Sequence, residues 1–281
     1  MFAEEVRYVK KKLARVLGLG AGAAIGLPMF LLAPGQAGRR QKRPFMGVNF
    51  AHRGLHARDK SVPENSLAAF RLAVRAGYGV ELDVQLSKDG QVVVFHDDTL
   101  DRVCGVTGRV DERTYEGLLK LRLCGTQYRI PLLQEVLDTV RGAGPMIVEL
   151  KTGRHNKELC EKTYALLKNY RGEVCIESFD PFIVMWFRFH APEVFRGQLA
   201  MPREGYKGMS KLLGFAGSRT LFNFLARPQF IAYKIGPRPL TVRLAEFLGA
   251  MKIGWTSHEP RNEKGRDAVI FEYYKPRAKY K

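Results

Sequence analysis

Cysteine is scarce: Cys104, Cys124, Cys160 and Cys175 are the four in 281 residues, and no two stand in C-x-x-C spacing. So few at this length exclude a disulfide framework. Buried thiols are expected, with a Cys104–Cys124 bridge open only in an oxidising compartment. Acidic residues are also short, 28 against 46 Lys and Arg, which leaves a net charge of +18. Such a surface favours anionic partners: acidic lipid, phosphorylated substrate or nucleic acid. The last has no interleaved aromatic and basic motif behind it and is not expected as a partner. With 46% hydrophobic and 11% aromatic residues, the chain can bury one large barrel or two modest domains, so disorder is not the default.

Charge is missing altogether from Val16 to Pro34, just after Arg7, Lys10, Lys11, Lys12 and Arg15. About 18 apolar residues make roughly 27 Å of helix, enough to span a hydrocarbon core. Gly18, Gly22 and Gly26 repeat a small-xxx-small spacing suited to helix packing. A nucleotide-loop reading of these glycines fails because no strand precedes them. We expect a single-pass N-terminal membrane anchor within a basic segment at 1–44. A cleaved signal ending near Gly35-Gln36-Ala37 and a surface-lying helix stay open. Arg39, Arg40, Lys42 and Arg43 follow the run, so basic residues flank both sides and sidedness is not decided.

The domain at 45–281 alternates strand and helix patterns. Strands are expected at 45–52, 79–86, 91–96, 146–151, 174–179, 197–201, 230–234, 252–256 and 268–272, one of the nine in a short hairpin. Helical periodicity marks 65–76, 131–141, 156–170, 181–190 and 239–250. Strands separated by helices pair in parallel through right-handed crossovers. About eight of them predict an α/β fold closed as a (β/α)8 TIM barrel, with an open doubly wound sheet as runner-up. Residues 203–228 break the rhythm, and Gly214 and Gly217 argue against one continuous helix there. Packing on the barrel or contact with a membrane interface are its two readings.

The chemistry gathers between Ala51 and Asp98. In YGVELDVQLS, a period of two sends Val80, Leu82, Val84 and Leu86 to one face and Glu81 and Asp83 to the other. The two carboxylates then lie about 7 Å apart along the strand. Buried together they repel, and one takes a proton unless a cation lies between them. Glu149, in MIVELKT, is a third carboxylate that a barrel brings to the same end. Three carboxylates suit one divalent cation, Mg²⁺ or Ca²⁺, better than zinc. The bland alternative pairs Glu149 with Lys151. His52 and His96 end predicted strands, where imidazoles can serve as proton donor and acceptor. His56 reads as a surface residue, and Asn65 and Ser66 as helix-start residues. Arg53 offers a fork for phosphate. Trp255 is a substrate wall or core.

Together these residues resemble the glycerophosphodiester phosphodiesterases, through His52-Arg53-Gly54, Pro63-Glu64-Asn65-Ser66, Glu81 with Asp83, Lys88-Asp89-Gly90, His96-Asp97, Glu149 with Lys151, and Trp255-Thr256. The resemblance covers about residues 46–272 and departs at the last strand, where Ile270-Phe271-Glu272-Tyr273-Tyr274-Lys275-Pro276 stands in place of TDxP; residues 257–267 are also short for a helix. It implies Glu81, Asp83 and Glu149 as metal ligands, His52 and His96 as the acid-base pair, and Arg53 and Lys151 at the phosphate. It also implies hydrolysis of a glycerophosphodiester to glycerol 3-phosphate and an alcohol. A membrane anchor extends the expected substrates to lysophospholipids, as in a lysophospholipase D-like activity, and the expected partners to a membrane with anionic lipid. From another class, an idle barrel that only binds anionic lipid is the alternative.

Overall fold

The computed structural model describes residues 26–280. Nine strands form one sheet: β1 (Val48–Ala51), β2 (Gly79–Leu86), β3 (Val92–Val94), β4 (Met146–Leu150), β5 (Val174–Ser178), β6 (Phe195–Ala200), β7 (Phe230–Lys234), β8 (Met251–Ser257) and β9 (Ala268–Phe271). Eight pair in parallel in the circular order β1-β2-β4-β5-β6-β7-β8-β9, and β9 returns to β1, which closes the barrel. β3 is the hairpin partner, antiparallel to β2. The expected alternation is present: helices Leu67–Arg75, Leu133–Val140, Asn156–Leu167, Pro181–His190 and Leu240–Phe247 fall inside the five predicted periodic stretches.

Local chemistry sets the helix starts. Ser66 caps the first helix by accepting from the Ala69 amide at 3.2 Å, and Asp180 accepts from Phe182 N at 2.8 Å ahead of Pro181. These satisfy amides that the first turn leaves open. The 257–267 connection holds only the short 3₁₀ turn Pro260–Glu263. Closure does not need a helix there, because β9 pairs with β8 and β1 through its own backbone.

Alternation along β2 sorts its side chains as expected. Val80, Leu82 and Val84 pack outward with Phe70, Leu133 and Leu137 from the surrounding helices. The inner face of the barrel is filled by Phe50, Ile147, Cys175, Phe195, Phe230, Ile253 and Ile270. Phe195 and Phe230 stand 5.2 Å apart between ring centroids, and burial of each such ring contributes about 1.5–3 kcal/mol. This apolar plug occupies the barrel below the acidic inner positions.

Two segments hold more structure than the sequence-based expectation specified. No element was expected between residues 97 and 130, yet this stretch folds over its own apolar core of Leu100, Val103, Val110, Leu118, Leu123 and Ile130. Its helices, Asp101–Cys104 and Tyr115–Leu119, are too short for periodicity to reveal. In 203–228 two helices, Lys211–Ser218 and Asn223–Ala226, flank a turn where Thr220 has φ 52°. The break falls there and not at Gly214 or Gly217. Those two glycines make room for Tyr206: a Cβ on Gly217 would lie 3.0 Å from its ring. All four cysteines are free.

Most of the predicted anchor, residues 16–25, lies outside the described residues. Among the described residues no helix is long and apolar enough to cross a membrane. Residues 26–32 are helical, and the adjoining chain is tied to the barrel. Asn223 Nδ2 donates to the Leu32 carbonyl at 3.2 Å, and Arg227 donates to those of Phe30 and Ala33 at 2.7 and 2.8 Å.

The plug makes a specific prediction. A Cβ on Gly197 would come 2.0 Å from the buried Phe230 ring, so Gly197→Ala should lose about 1–3 kcal/mol of stability by overpacking. Urea denaturation measures this. A loss within error of zero would show that the ring moves freely.

Candidate active site

Register builds the acidic centre. Asp83 of β2 pairs with Glu149 of β4, and Glu149 pairs with Glu177 of β5, so three carboxylates stand in one row around the inner wall. Glu81 lies one inward position below Asp83 on the same strand. One carboxylate oxygen from each of Glu81, Asp83 and Glu149 comes within 4.8 Å of the others, and all three residues are buried.

Cations and amides surround this cluster. The Arg53 amide donates to Glu81 Oε2 at 2.8 Å, and Arg53 Nε lies 3.4 Å from Asp83 Oδ2. Asn65 Nδ2 donates to the same Asp83 oxygen at 2.9 Å. Lys151 Nζ donates to Glu149 Oε1 at 2.7 Å and stands 3.5 Å from Asp83 Oδ1. The pairing of Glu149 with Lys151, raised as the bland alternative, therefore exists inside the cluster. Both Arg53, at φ 53°, and Asn65, at φ 55°, adopt left-handed backbone. Such conformations are costly for non-glycine residues, and here they aim an amide and a side chain at the carboxylates.

The electrostatics split the cluster. Burial pushes the Glu81 carboxyl well up, and Asp83 and Glu149 push it further. Burial also raises Glu149, against the pull of Lys151. Asp83 is buried too, yet the charges of His96, Lys151 and Arg53 and the Asn65 hydrogen bond hold it well below the usual range. Among the described residues Asp83 Oδ1 accepts no hydrogen bond and has only the Lys151 ion pair at 3.5 Å. A buried carboxylate oxygen so weakly held, among carboxyls that repel, fits a hard divalent cation, which would remove the repulsion.

Each predicted histidine has a carboxylate at its back. His96 Nδ1 is 2.6 Å from Asp97 Oδ1, and Asp97 is gripped by Arg102 at 2.6 Å. His52 Nδ1 lies 3.5 Å from Glu272 Oε2, while its Nε2 faces Glu81 Oε2 at 4.0 Å. Burial lowers the His52 pKa, with Glu272 working against it. Such partners fix ring orientation and tautomer. Trp255 stands at the barrel mouth, donating to the Ala232 carbonyl at 3.1 Å and meeting Phe179 edge to face at 5.6 Å.

The structure corrects two readings. His56 is not a surface residue: its side chain is 6% exposed and its Nε2 is 3.3 Å from Glu272 Oε1. Tyr273 covers it edge to face at 5.0 Å, which withdraws it from solvent. Asn65 is more than a helix-start residue, because its amide reaches Asp83; Ser66 alone is the cap. Sequence reasoning also passed over Glu177, Glu272 and Arg102. Alternation in VCIES, which puts Cys175 and Glu177 on one face, could have found Glu177. Glu272 directly follows the last strand as His52 directly follows the first. Arg102 carried no signal; it joins Asp97 to Glu64, 38 residues away in sequence, and together with Arg53 it holds Glu64 down to about 2 despite burial.

A parallel eight-stranded barrel with two histidines and a carboxylate cluster at the strand ends has the layout of barrels that carry their site at the C-terminal face. A model of the glycerophosphoryl diester phosphodiesterase family matches residues 52–211, and the chain belongs to that family. It is 37% identical over 161 residues to a glycerophosphodiester phosphodiesterase of Caldanaerobacter subterraneus, covering 53% of this chain and 65% of that relative. It is 41% identical over 164 residues to one of Bacillus altitudinis, covering 54% and 66%. These matches span just under two thirds of the relatives' own lengths. An Oleispira antarctica phosphodiesterase, solved in complex with the product sn-glycerol-3-phosphate, shares the fold at 24% identity and TM-score 0.68, over 82% of this chain and 94% of that one. The family match ends before β7, so the last three strands, with Trp255 and Glu272, are placed by the structure.

The cluster predicts its own response to metal. Mg²⁺ or Ca²⁺ at 100 times the dissociation constant should stabilise the protein by about 2.7 kcal/mol, read as a rise in melting temperature that chelator reverses. Glu81→Gln should raise the stability of the metal-free protein and shrink that rise. A variant that responds like the wild type would contradict the assignment.

Proposed function

We propose that this chain hydrolyses glycerophosphodiesters to glycerol 3-phosphate and a free alcohol. The convergence of Glu81, Asp83 and Glu149 between two carboxylate-backed histidines carries this reading. A binding barrel would gain nothing from holding such a pair in fixed orientation beside repelling carboxylates.

Glu81, Asp83 and Glu149 would hold one divalent cation, Mg²⁺ or Ca²⁺. When bound it supplies Lewis-acid polarisation and a template for the substrate oxygens. Arg53 and Lys151 then face the growing charge on the phosphoryl oxygens. Both stay protonated: burial opposes their charge, but for Lys151 the carboxylates of Glu149 and Asp83 outweigh it, and for Arg53 those of Asp83 and Glu64 do. His52 and His96 divide the proton work. One accepts a proton from the attacking oxygen as its bond to phosphorus forms. The other donates a proton to the alcohol oxygen as the ester bond breaks. Glu272 and Asp97 hold the two rings for these roles and stabilise the imidazolium that forms. Trp255 provides an apolar wall at the mouth.

The charge-free run Val16–Pro34 and the net charge of +18 support work at a membrane, with residues 1–44 as a single-pass anchor and acidic lipid as the surface partner. Alkaline carbonate extraction tests this; release of the full chain into the soluble fraction would sink it.

Alcohol release from a panel of glycerophosphodiesters tests the activity. His52→Ala and His96→Ala should each lower kcat by about 10²–10⁴-fold, and chelation should abolish turnover until Mg²⁺ or Ca²⁺ is restored. Activity that survives both substitutions would overturn the mechanism. No turnover on any diester would favour the lipid-binding barrel.

A further inference from the structure

At the N-terminal end of the barrel, opposite the carboxylate row, three arginines gather with no acid among them. Arg196 is the second residue of β6; Arg188 lies in the last turn of the Pro181–His190 helix, and Arg227 follows the Asn223–Ala226 helix. Phe195 and Leu199 face the barrel interior, so alternation turns Arg196 outward, toward the other two. Its side chain is nonetheless buried, with the residue 6% exposed. Among the described residues its one side-chain hydrogen bond runs from Nη1 to the Pro192 carbonyl at 3.5 Å, and Nε has no partner. Burial and the neighbouring Arg188 push the Arg196 guanidinium down to about 10, and the same two causes lower Arg227. No carboxylate works against them. A buried guanidinium left unpaired is costly, and a second cation beside it adds to the cost. An anion between them would remove both.

The flanking arginines are held in place while part of each fork stays unused. Arg188 Nη1 donates to the Phe224 and Leu225 carbonyls at 3.1 and 2.7 Å, and Arg227 Nη1 to those of Phe30 and Ala33 at 2.7 and 2.8 Å. Their guanidinium groups lie 4.8 and 4.5 Å over the Phe189 and Phe30 rings. Satisfying carbonyls at helix ends would account for Arg188 and Arg227. It does not account for Arg196, whose one such contact is at the limit of hydrogen-bond distance. Gly35 passes close by: a Cβ there would press on the Arg227 carbonyl and lie 3.3 Å from Arg196 Nη2. The absent side chain leaves Nη2 uncovered on that side. Planar arginine forks match the oxygens of a phosphate group. The chain that reaches Gly35 comes from the charge-free run, and Phe30 and Phe189, which carry two of the arginines, are 61% and 63% exposed.

We propose that Arg188, Arg196 and Arg227 form a phosphate-binding site, separate from the reaction centre, that takes the phosphate of a lipid headgroup or of a soluble phosphate compound. The site lies where the N-terminal segment joins the barrel, so its ligand would fasten that segment to the α/β domain. It stands whether or not the chain is a phosphodiesterase, because none of its residues serves that reaction.

The test follows the melting temperature of the full chain in micelles of a nonionic detergent, with chelator present so that the carboxylate centre holds no metal. Inorganic phosphate is titrated in one arm, and phosphatidic acid mixed into the micelles in the other. The wild type should show a saturable rise in at least one arm. Arg196→Met and Arg188→Gln should each need about tenfold or more ligand for half of that rise, as expected when charged hydrogen bonds are lost. Without ligand, Arg196→Met should melt no lower than the wild type, since it removes an unpaired buried charge. If it melts lower, Arg188→Gln, at a half-buried position, decides alone. A rise with phosphatidic acid alone assigns the site to a lipid headgroup, and a rise with inorganic phosphate assigns it to phosphate from either source. No rise in either arm, or a rise that a folded variant keeps at wild-type concentrations, as binding at Arg53 and Lys151 would give, overturns the proposal.

Discussion

Like charges forced into one row of a barrel wall are the constraint around which this molecule is arranged. Parallel register alone sets Asp83 beside Glu149 and Glu149 beside Glu177, and alternation adds Glu81 beneath. Such a row is unstable by itself, since burial and mutual repulsion both oppose ionisation. The surrounding positions answer it in kind: Arg53 and Lys151 with charge, Asn65 and the Arg53 amide with hydrogen bonds. Asp83 stays ionised because it receives most of that help. Glu81 and Glu177 receive less and are driven toward the neutral form. Glu177 lies outside the three-residue cluster, and it marks where the acidic layer runs out of partners.

The rest of the fold positions this row and keeps it apart from bulk water. The phenylalanine plug below the carboxylates fills the barrel and denies the row solvent from beneath, so the mouth is the route of approach. At the mouth, Arg102 reaches from the small lobe at 97–130 to tie Asp97 and Glu64 together, which couples the His96 side of the site to the Arg53 side. Glu272 closes the opposite side by joining the end of the last strand to the ring that ends the first. The departure from TDxP thus falls on a residue in contact with His52. A carboxylate remains there, carried on a longer side chain.

Much of this was legible in the sequence because two periodicities write it plainly. A period of two through GVELDVQL and MIVEL fixes which residues face inward, and helical spacing between strands demands parallel closure. The residues at strand ends follow from the same reading. What escaped depends on folding back. His56 looks exposed until Tyr273, from the far end of the chain, covers it. Asn65 looks like a cap until its left-handed backbone turns the amide toward Asp83. Arg102 sits in a four-residue helix, shorter than any period can register. Gly214 and Gly217 argued against one continuous helix over 203–228, and two helices stand there, but the break falls at Thr220 while the glycines clear Tyr206.

The central claim is that the acidic row exists to hold one divalent ion. Anomalous diffraction from crystals grown with Mn²⁺ in place of Mg²⁺ tests it most directly. The account predicts a single strong peak within bonding distance of carboxylate oxygens from Glu81, Asp83 and Glu149, with Lys151 displaced from at least one of its two carboxylate partners. A peak elsewhere, or none while Lys151 still bridges Glu149 and Asp83, would contradict it.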